Sequence, residues 1–311
     1  MHVETTAAQR RSFELSATQF LWPALASVGV LWLIMVTGAA VRLTGSGLGC
    51  RHWPGCEKGD PLPAKNYHAY IEFGNRTIGA VTILIVLLTA IAAFRTPSLP
   101  RWARRLALAV FVGTLLQAPL GYLAVKTDLR WPIVAAHLLL SAVVLAGAVV
   151  LALEAINIAH GRAEPIVPKE LRWGGIAVVV AGLALLVTGT LATAAGPHSG
   201  AGAEHVDRLW RLQPLIYAHA AAVGVFAVAL VFVAGYLAPL RERAPNLFVF
   251  SLGVLGLLFA QMTIGEIQYR THLPWPLVLV HVGLAAAVWA LLVAFVTVLW
   301  RPPRSLVPSR T

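Results

Sequence analysis

Residues 117–144, QAPLGYLAVKTDLRWPIVAAHLLLSAVV, align without a gap on residues 261–288, QMTIGEIQYRTHLPWPLVLVHVGLAAAV. The two stretches lie 144 positions apart, and the alignment sets Gly121 on Gly265, Trp131-Pro132 on Trp275-Pro276 and His137 on His281. A second pair, VTGAAVRLTGSG and VTGTLATAAGPHSG, places Thr37-Gly38 on Thr188-Gly189 at an offset of 151. The chain therefore reads as a tandem repeat. The seven extra residues between the offsets fall in RLTGSGLGCRHWPGC, residues 42–56, a loop holding both cysteines of the sequence.

Composition fixes the setting of the repeat. Hydrophobic residues make up 58% of the chain and charged residues 12%, with a mean hydropathy of +0.76, far from the balance of a water-soluble globule. Eight apolar runs are long enough to cross a hydrocarbon core of ~30 Å, at about 20–41, 69–94, 105–125, 131–153, 173–194, 212–237, 247–267 and 275–300. The first is too long for a signal peptide's apolar region and lacks a clean cleavage site, so it reads as a retained helix. The expected fold is all-α: two four-helix bundles at 20–154 and 173–300, a linker at 155–172, and tails at 1–19 and 301–311. Each half has an even number of spans, so both copies point the same way through the membrane, as pseudo-symmetric bundles related about its normal.

Lysine and arginine number 14 on the side of the termini and 10 on the other, and the loop RTPSLPRWARR carries four arginines with no acid. The positive-inside rule then puts both termini in the cytoplasm and the cysteine loop outside, in a cell membrane. The net charge of +11 is scattered over short loops, which suits topology and attraction to anionic lipid and argues against nucleic acid. Cys50 and Cys56 read first as a disulfide on the oxidising side, with free thiols and a metal site as the alternatives.

Every even-numbered span enters from outside, and three of the four carry a histidine at nearly one depth. His137, His219 and His281 sit six or seven residues into their spans, ~9–10 Å below the surface at 1.5 Å per residue. Polar residues at that depth are costly and usually functional. Two histidines on facing helices, with no carboxylate beside them, suit the iron of a heme, whose porphyrin supplies the other four nitrogens. His219 and His281 are thus expected to clasp a b-type heme. Applied to His219, the 144 offset lands on Asn75, so the first half has a defective copy of the pair and His137 faces a poor ligand. His68, Glu72 and Asn75 share one stripe of the second span. Glu72 reads either as a helix-end acid paired with Arg76 or as a proton-handling group beside an open iron site.

The ordered set TGSGLGC, WPGC, IEFGNR, AVKT, WPIVAAHLLL and TGTLATAAGPHSG, with histidines in spans six and eight, resembles the heme A synthase family over roughly residues 20–300. The resemblance implies an enzyme that oxidises the C8 methyl of heme O to a formyl group, giving heme A for cytochrome oxidase. It implies heme b on His219 and His281, heme O near His137, a required acid at Glu72, and a disulfide between Cys50 and Cys56. Where the family usually has a histidine, this chain has Asn75, so heme O is expected on His137 alone or with His68 as the distant partner. A heme O synthase and an electron donor are the protein partners this reading invites, and a homo-oligomer is compatible with it. Two other classes share features of the sequence: a membrane b-type cytochrome, which has no need of Glu72, and a secondary transporter, which needs broken helices at mid-membrane. GSGLGC is no dinucleotide fingerprint, since Cys50 stands at the third glycine and no strand precedes it. Around His198, GPHSG reads as a turn with an interfacial histidine.

Overall fold

The computed structural model describes residues 14–50, 52, 53, 55–59, 62, 63, 65–201, 206 and 208–306. The outermost parts of the expected tails, 1–13 and 307–311, lie outside the described residues. Among the described residues, nine α-helices carry the fold: α1 (Ala17–Leu43), α2 (Tyr67–Phe94), α3 (Arg101–Leu115), α4 (Gln117–Lys126), α5 (Trp131–His160), α6 (Lys169–Ala195), α7 (Leu212–Leu237), α8 (Pro245–Arg270) and α9 (Trp275–Trp300). Counting α3 and α4 together, eight described helices are long and apolar enough to cross a membrane, and no strand forms among the described residues. In hydrocarbon every backbone group must be satisfied within the chain, which a helix does by itself.

The third span departs from the sequence expectation of one continuous helix over 105–125: it is broken at Leu116. Pro119 is the physical reason, since it has no N–H for the Leu115 carbonyl and its ring crowds that carbonyl. Its repeat counterpart is Thr263, and α8 runs through unbroken. Hydropathy is blind to such a break, because both segments remain apolar.

Several local features recur in both halves. Helices α5 and α9 each open on a Trp-Pro with proline in the first turn, where a missing N–H is harmless. The loops before them both turn through two left-handed residues, Asp128 and Leu129 at φ 51° and 59°, and His272 and Leu273 at φ 64° and 59°. The same backbone bond closes each loop, Leu129 N–H to the Ala124 carbonyl and Leu273 N–H to the Gln268 carbonyl, both 2.7 Å.

One continuous hydrophobic cluster runs through both halves, from Leu31, Met35 and Leu145 to Phe226, Trp289, Leu292 and Phe295. Helices α1 and α5 of the first half pack on α9 of the second. Without a hydrophobic drive inside lipid, packing and interhelical hydrogen bonds hold such contacts. Trp289 Nε1 donates to the Ala142 carbonyl at 2.8 Å, and Trp32 Nε1 to the Gly283 carbonyl at 3.0 Å. At the termini end, Arg301 forks onto Glu154 at 2.8 and 3.0 Å, and Asn157 Nδ2 donates to the Arg301 carbonyl. Within the first half, Ser27 and Thr89 pair their hydroxyls at 2.9 Å between α1 and α2.

Candidate functional site

In the second half, four helices build one nest around two imidazoles. Helix α6 brings Thr188 and Gly189 against His219 of α7, and α8 brings Gln261 and Gly265 against His281 of α9. A Cβ on Gly189 would stand 2.9 Å from Cε1 of His219, and one on Gly265 would stand 3.0 Å from Cε1 of His281. Glycine at both positions lets a flat ring lie directly on the neighbouring helix. Helices α6 and α8 each pack on both α7 and α9, which sets the two histidine-bearing helices in one frame.

Thr188 holds Nδ1 of His219. Thr188 Oγ1 lies 3.0 Å from the Leu185 carbonyl and 3.2 Å from Nδ1 of His219. Either atom of the Oγ1–Nδ1 pair can donate; when Nδ1 does, Nε2 keeps its lone pair. A histidine fixed this way at one nitrogen is prepared to ligate through the other. His281 is steadied through its backbone, its carbonyl accepting from Gln261 Nε2 at 2.9 Å. Its Nδ1 is buried with no hydrogen-bond partner among the described residues.

The first half repeats the seats with different occupants. Thr37 of α1 donates to Asn75 Oδ1 of α2 at 2.8 Å, while its Oγ1 stands 3.3 Å from the Ile34 carbonyl, and Gly38 lies behind the Asn75 amide. Asn75 thus occupies the Thr-Gly seat that His219 occupies in the second half. Gln117 reaches Ser141 Oγ at 3.0 Å, and Ser141 donates to the His137 carbonyl at 2.9 Å, a relayed form of the Gln261 contact. A Cβ on Gly121 would be 3.9 Å from Cε1 of His137, so this ring is backed more loosely than its counterpart. Nδ1 of His137 is also buried with no partner among the described residues.

The stripe of His68, Glu72 and Asn75 divides into three separate environments. Exposed His68 meets Ser46 Oγ through Nδ1 at 2.9 Å. Glu72 is only 4% exposed. Its Oε2 accepts from the Cys50 backbone N–H at 2.7 Å and its Oε1 from Arg76 at 2.6 Å. Arg76 also donates to the carbonyls of His52, Gly55 and Cys50. Glu72 and Arg76 together clamp the cysteine loop, which is closed by a Cys50–Cys56 disulfide. The close approach depends on Gly49, where a Cβ would fall 2.5 Å from the His68 carbonyl oxygen. Gly45, at φ +68°, makes the turn out of α1. From α2 the loop reaches across to α4, where Trp53 meets Tyr122 edge-on at 5.9 Å, next to the Gly121 that backs His137.

His198 lies in a turn, as expected, with Nε2 2.8 Å from the Leu273 carbonyl. The sequence reading did not single out Thr37, Thr188, Gln117 or Gln261 as supporting residues. Their signal was present in the two aligned repeat segments, where Thr-Gly and Gln recur at matching positions.

A family-wide sequence profile described as COX15-CtaA, cytochrome oxidase assembly protein, matches residues 21–293. The chain belongs to this family. Among relatives in the heme A synthase family, the Heme A synthase of Bacillus pumilus is 32% identical over 144 residues, 46% of this chain and 47% of that protein. The Heme A synthase of Geobacillus kaustophilus is 25% identical over 270 residues, 84% of this chain and 85% of that protein. The Protoheme IX farnesyltransferase of Thermus thermophilus is 32% identical over 294 residues, which make up 86% of this chain but 46% of that longer protein. The alignment thus spans about half the length of the first of these relatives and of the Thermus protein. Half-buried, glycine-backed imidazoles fit relatives whose names include heme.

Proposed function

We propose that this chain is a heme A synthase, oxidising the C8 methyl of heme O to a formyl group to give heme A for cytochrome oxidase. The observation that carries the reading is the paired nest: Thr188 and Gly189 hold His219, while Gly265 backs His281. In this reading His219 and His281 hold heme b in the C-terminal bundle. Heme O docks in the N-terminal bundle at His137, whose opposing seat carries Asn75. A heme held by both His219 and His281 would serve electron transfer, whereas the seat opposite His137 carries Asn75, a poor ligand, and would leave heme O open to oxidation. The porphyrins supply the redox chemistry; the protein orients them and excludes water. His137 sets the position of the substrate's ring.

Glu72 then has a double part. It holds the disulfide loop across the end of the first bundle, and it is the acid nearest in sequence to Asn75 for handling protons released from the methyl group. His68, exposed and engaged by Ser46, is a weaker candidate for the distant ligand than the sequence stripe suggests. The termini are placed in the cytoplasm and the cysteine loop on the outer side of the cell membrane. A heme O-making farnesyltransferase is the partner proposed from the Thermus relative, with a separate electron donor.

The test is conversion. Purified protein supplied with heme O and a reductant in air should yield heme A on acid-acetone extraction and chromatography. Recovery of heme B and unchanged heme O, with no heme A, would favour an electron-transfer cytochrome instead.

A further inference from the structure

Two arginines stand at the mouth of the second-half nest, at the cysteine-loop end. Arg42, in the last turn of α1, donates through Nε to the His198 carbonyl at 2.9 Å and through Nη2 to the Thr193 carbonyl at 2.8 Å. Arg208 donates to the carbonyls of Gly196 and Pro197. Both guanidinium groups are therefore anchored on one short segment, the end of α6 and the turn after it. They stand close enough for their charges to repel.

That arrangement is electrostatically incomplete. A guanidinium has five N–H donors, and backbone carbonyls take two from each arginine. The ion pairs among the described residues involve Glu72, Glu154 and Glu266, and none includes Arg42 or Arg208. The plain alternative is that both arginines cap helix C-termini. Each such terminus offers about half an elementary charge, so the ends of α1 and α6 leave roughly one positive charge unanswered among the described residues.

The position relative to the histidines indicates what answers it. Thr193 donates its hydroxyl to the Gly189 carbonyl at 2.8 Å, so Arg42 is held one helical turn beyond the glycine that backs His219. One turn is ~5.4 Å along the axis. A tetrapyrrole on His219 would thus have one edge toward the segment that anchors half-buried Arg42 and exposed Arg208, and guanidinium groups recognise carboxylates.

We propose that Arg42 and Arg208 form a carboxylate-binding pair that takes the propionate groups of the tetrapyrrole seated at His219 and His281. The inference rests on reading the second half as a heme site. The pair fixes which edge of the macrocycle faces the cysteine-loop end and locks α1 of one half to the bound group of the other.

The experiment titrates full-length protein, produced in heme-deficient cells, with protoheme IX and with its dimethyl ester, which keeps the iron and loses both carboxylates. The readout is the low-spin bis-histidine absorption. The expected result is that the free acid binds at least about tenfold more tightly than the ester, and that Arg42→Met and Arg208→Met each bring the two affinities together. Should Arg42→Met fail to fold, Arg208→Met decides on the same ratio. Equal affinity of the wild-type protein for both compounds, with a normal bis-histidine spectrum, would overturn the inference alone. An unchanged preference in the variants would overturn it too. No bis-histidine spectrum with either compound would remove the heme-site reading and this inference with it.

Discussion

Thr188 and Asn75 decide the chemistry at the smallest scale. Thr188 holds Nδ1 of His219, so Thr188→Val should loosen heme retention by about 10–100-fold while Thr188→Ser keeps it, the usual range for an outer-shell partner of a ligating histidine. Heme dissociation into apomyoglobin measures this directly. Asn75 already sits on the matching Thr37–Gly38 seat. Asn75→His should therefore complete a second bis-histidine pair with His137, adding low-spin absorption when heme O is supplied. An unaltered spectrum would mean that the two seats are not equivalent. Much of this was legible, because aligning Thr37-Gly38 on Thr188-Gly189 lays out both seats. The Glu72 contact with Cys50 was not: its partner is a backbone N–H in an irregular loop, and hydropathy and helical spacing carry no information about which way such a loop folds back.

Among the elements, the cysteine loop is held to α2 by a buried carboxylate. Removing one partner of a buried charged pair leaves the other uncompensated, typically at 3 kcal/mol or more. Glu72→Ala is expected to loosen the loop by about 3 kcal/mol and to raise amide exchange in the peptide containing Cys50 roughly hundredfold. Glu72→Gln, which keeps an acceptor for the Cys50 N–H, should show a smaller rise. Exchange that stays at the wild-type rate in Glu72→Ala would show that the disulfide and Gly49 hold the loop alone. The broken third span belongs at this scale too. Eight spans and their order could be read from apolar runs, but the break at Leu116 depends on one proline, and a membrane tolerates or kinks at proline according to its neighbours.

At the level of the whole molecule, the halves are joined by a shared core and by bonds that cross it at several depths. Repeat periodicity suggested two bundles; it did not reveal that α1, α5 and α9 merge them, because partners so far apart in sequence leave no local pattern. Glu154→Ala frees Arg301 from its fork and should lower stability by about 1–2 kcal/mol, allowing for the partial exposure of the arginine. The thermal unfolding midpoint should fall while the heme spectrum is unchanged, since that pair lies at the termini end, away from the histidines. The central claim is that His219 and His281 hold one heme between them in the second half. Its most direct measurement is the low-spin heme signal of purified protein carrying both His219→Ala and His281→Ala. The bis-histidine signal should disappear while folded protein remains; retention of the full wild-type signal would place the heme elsewhere.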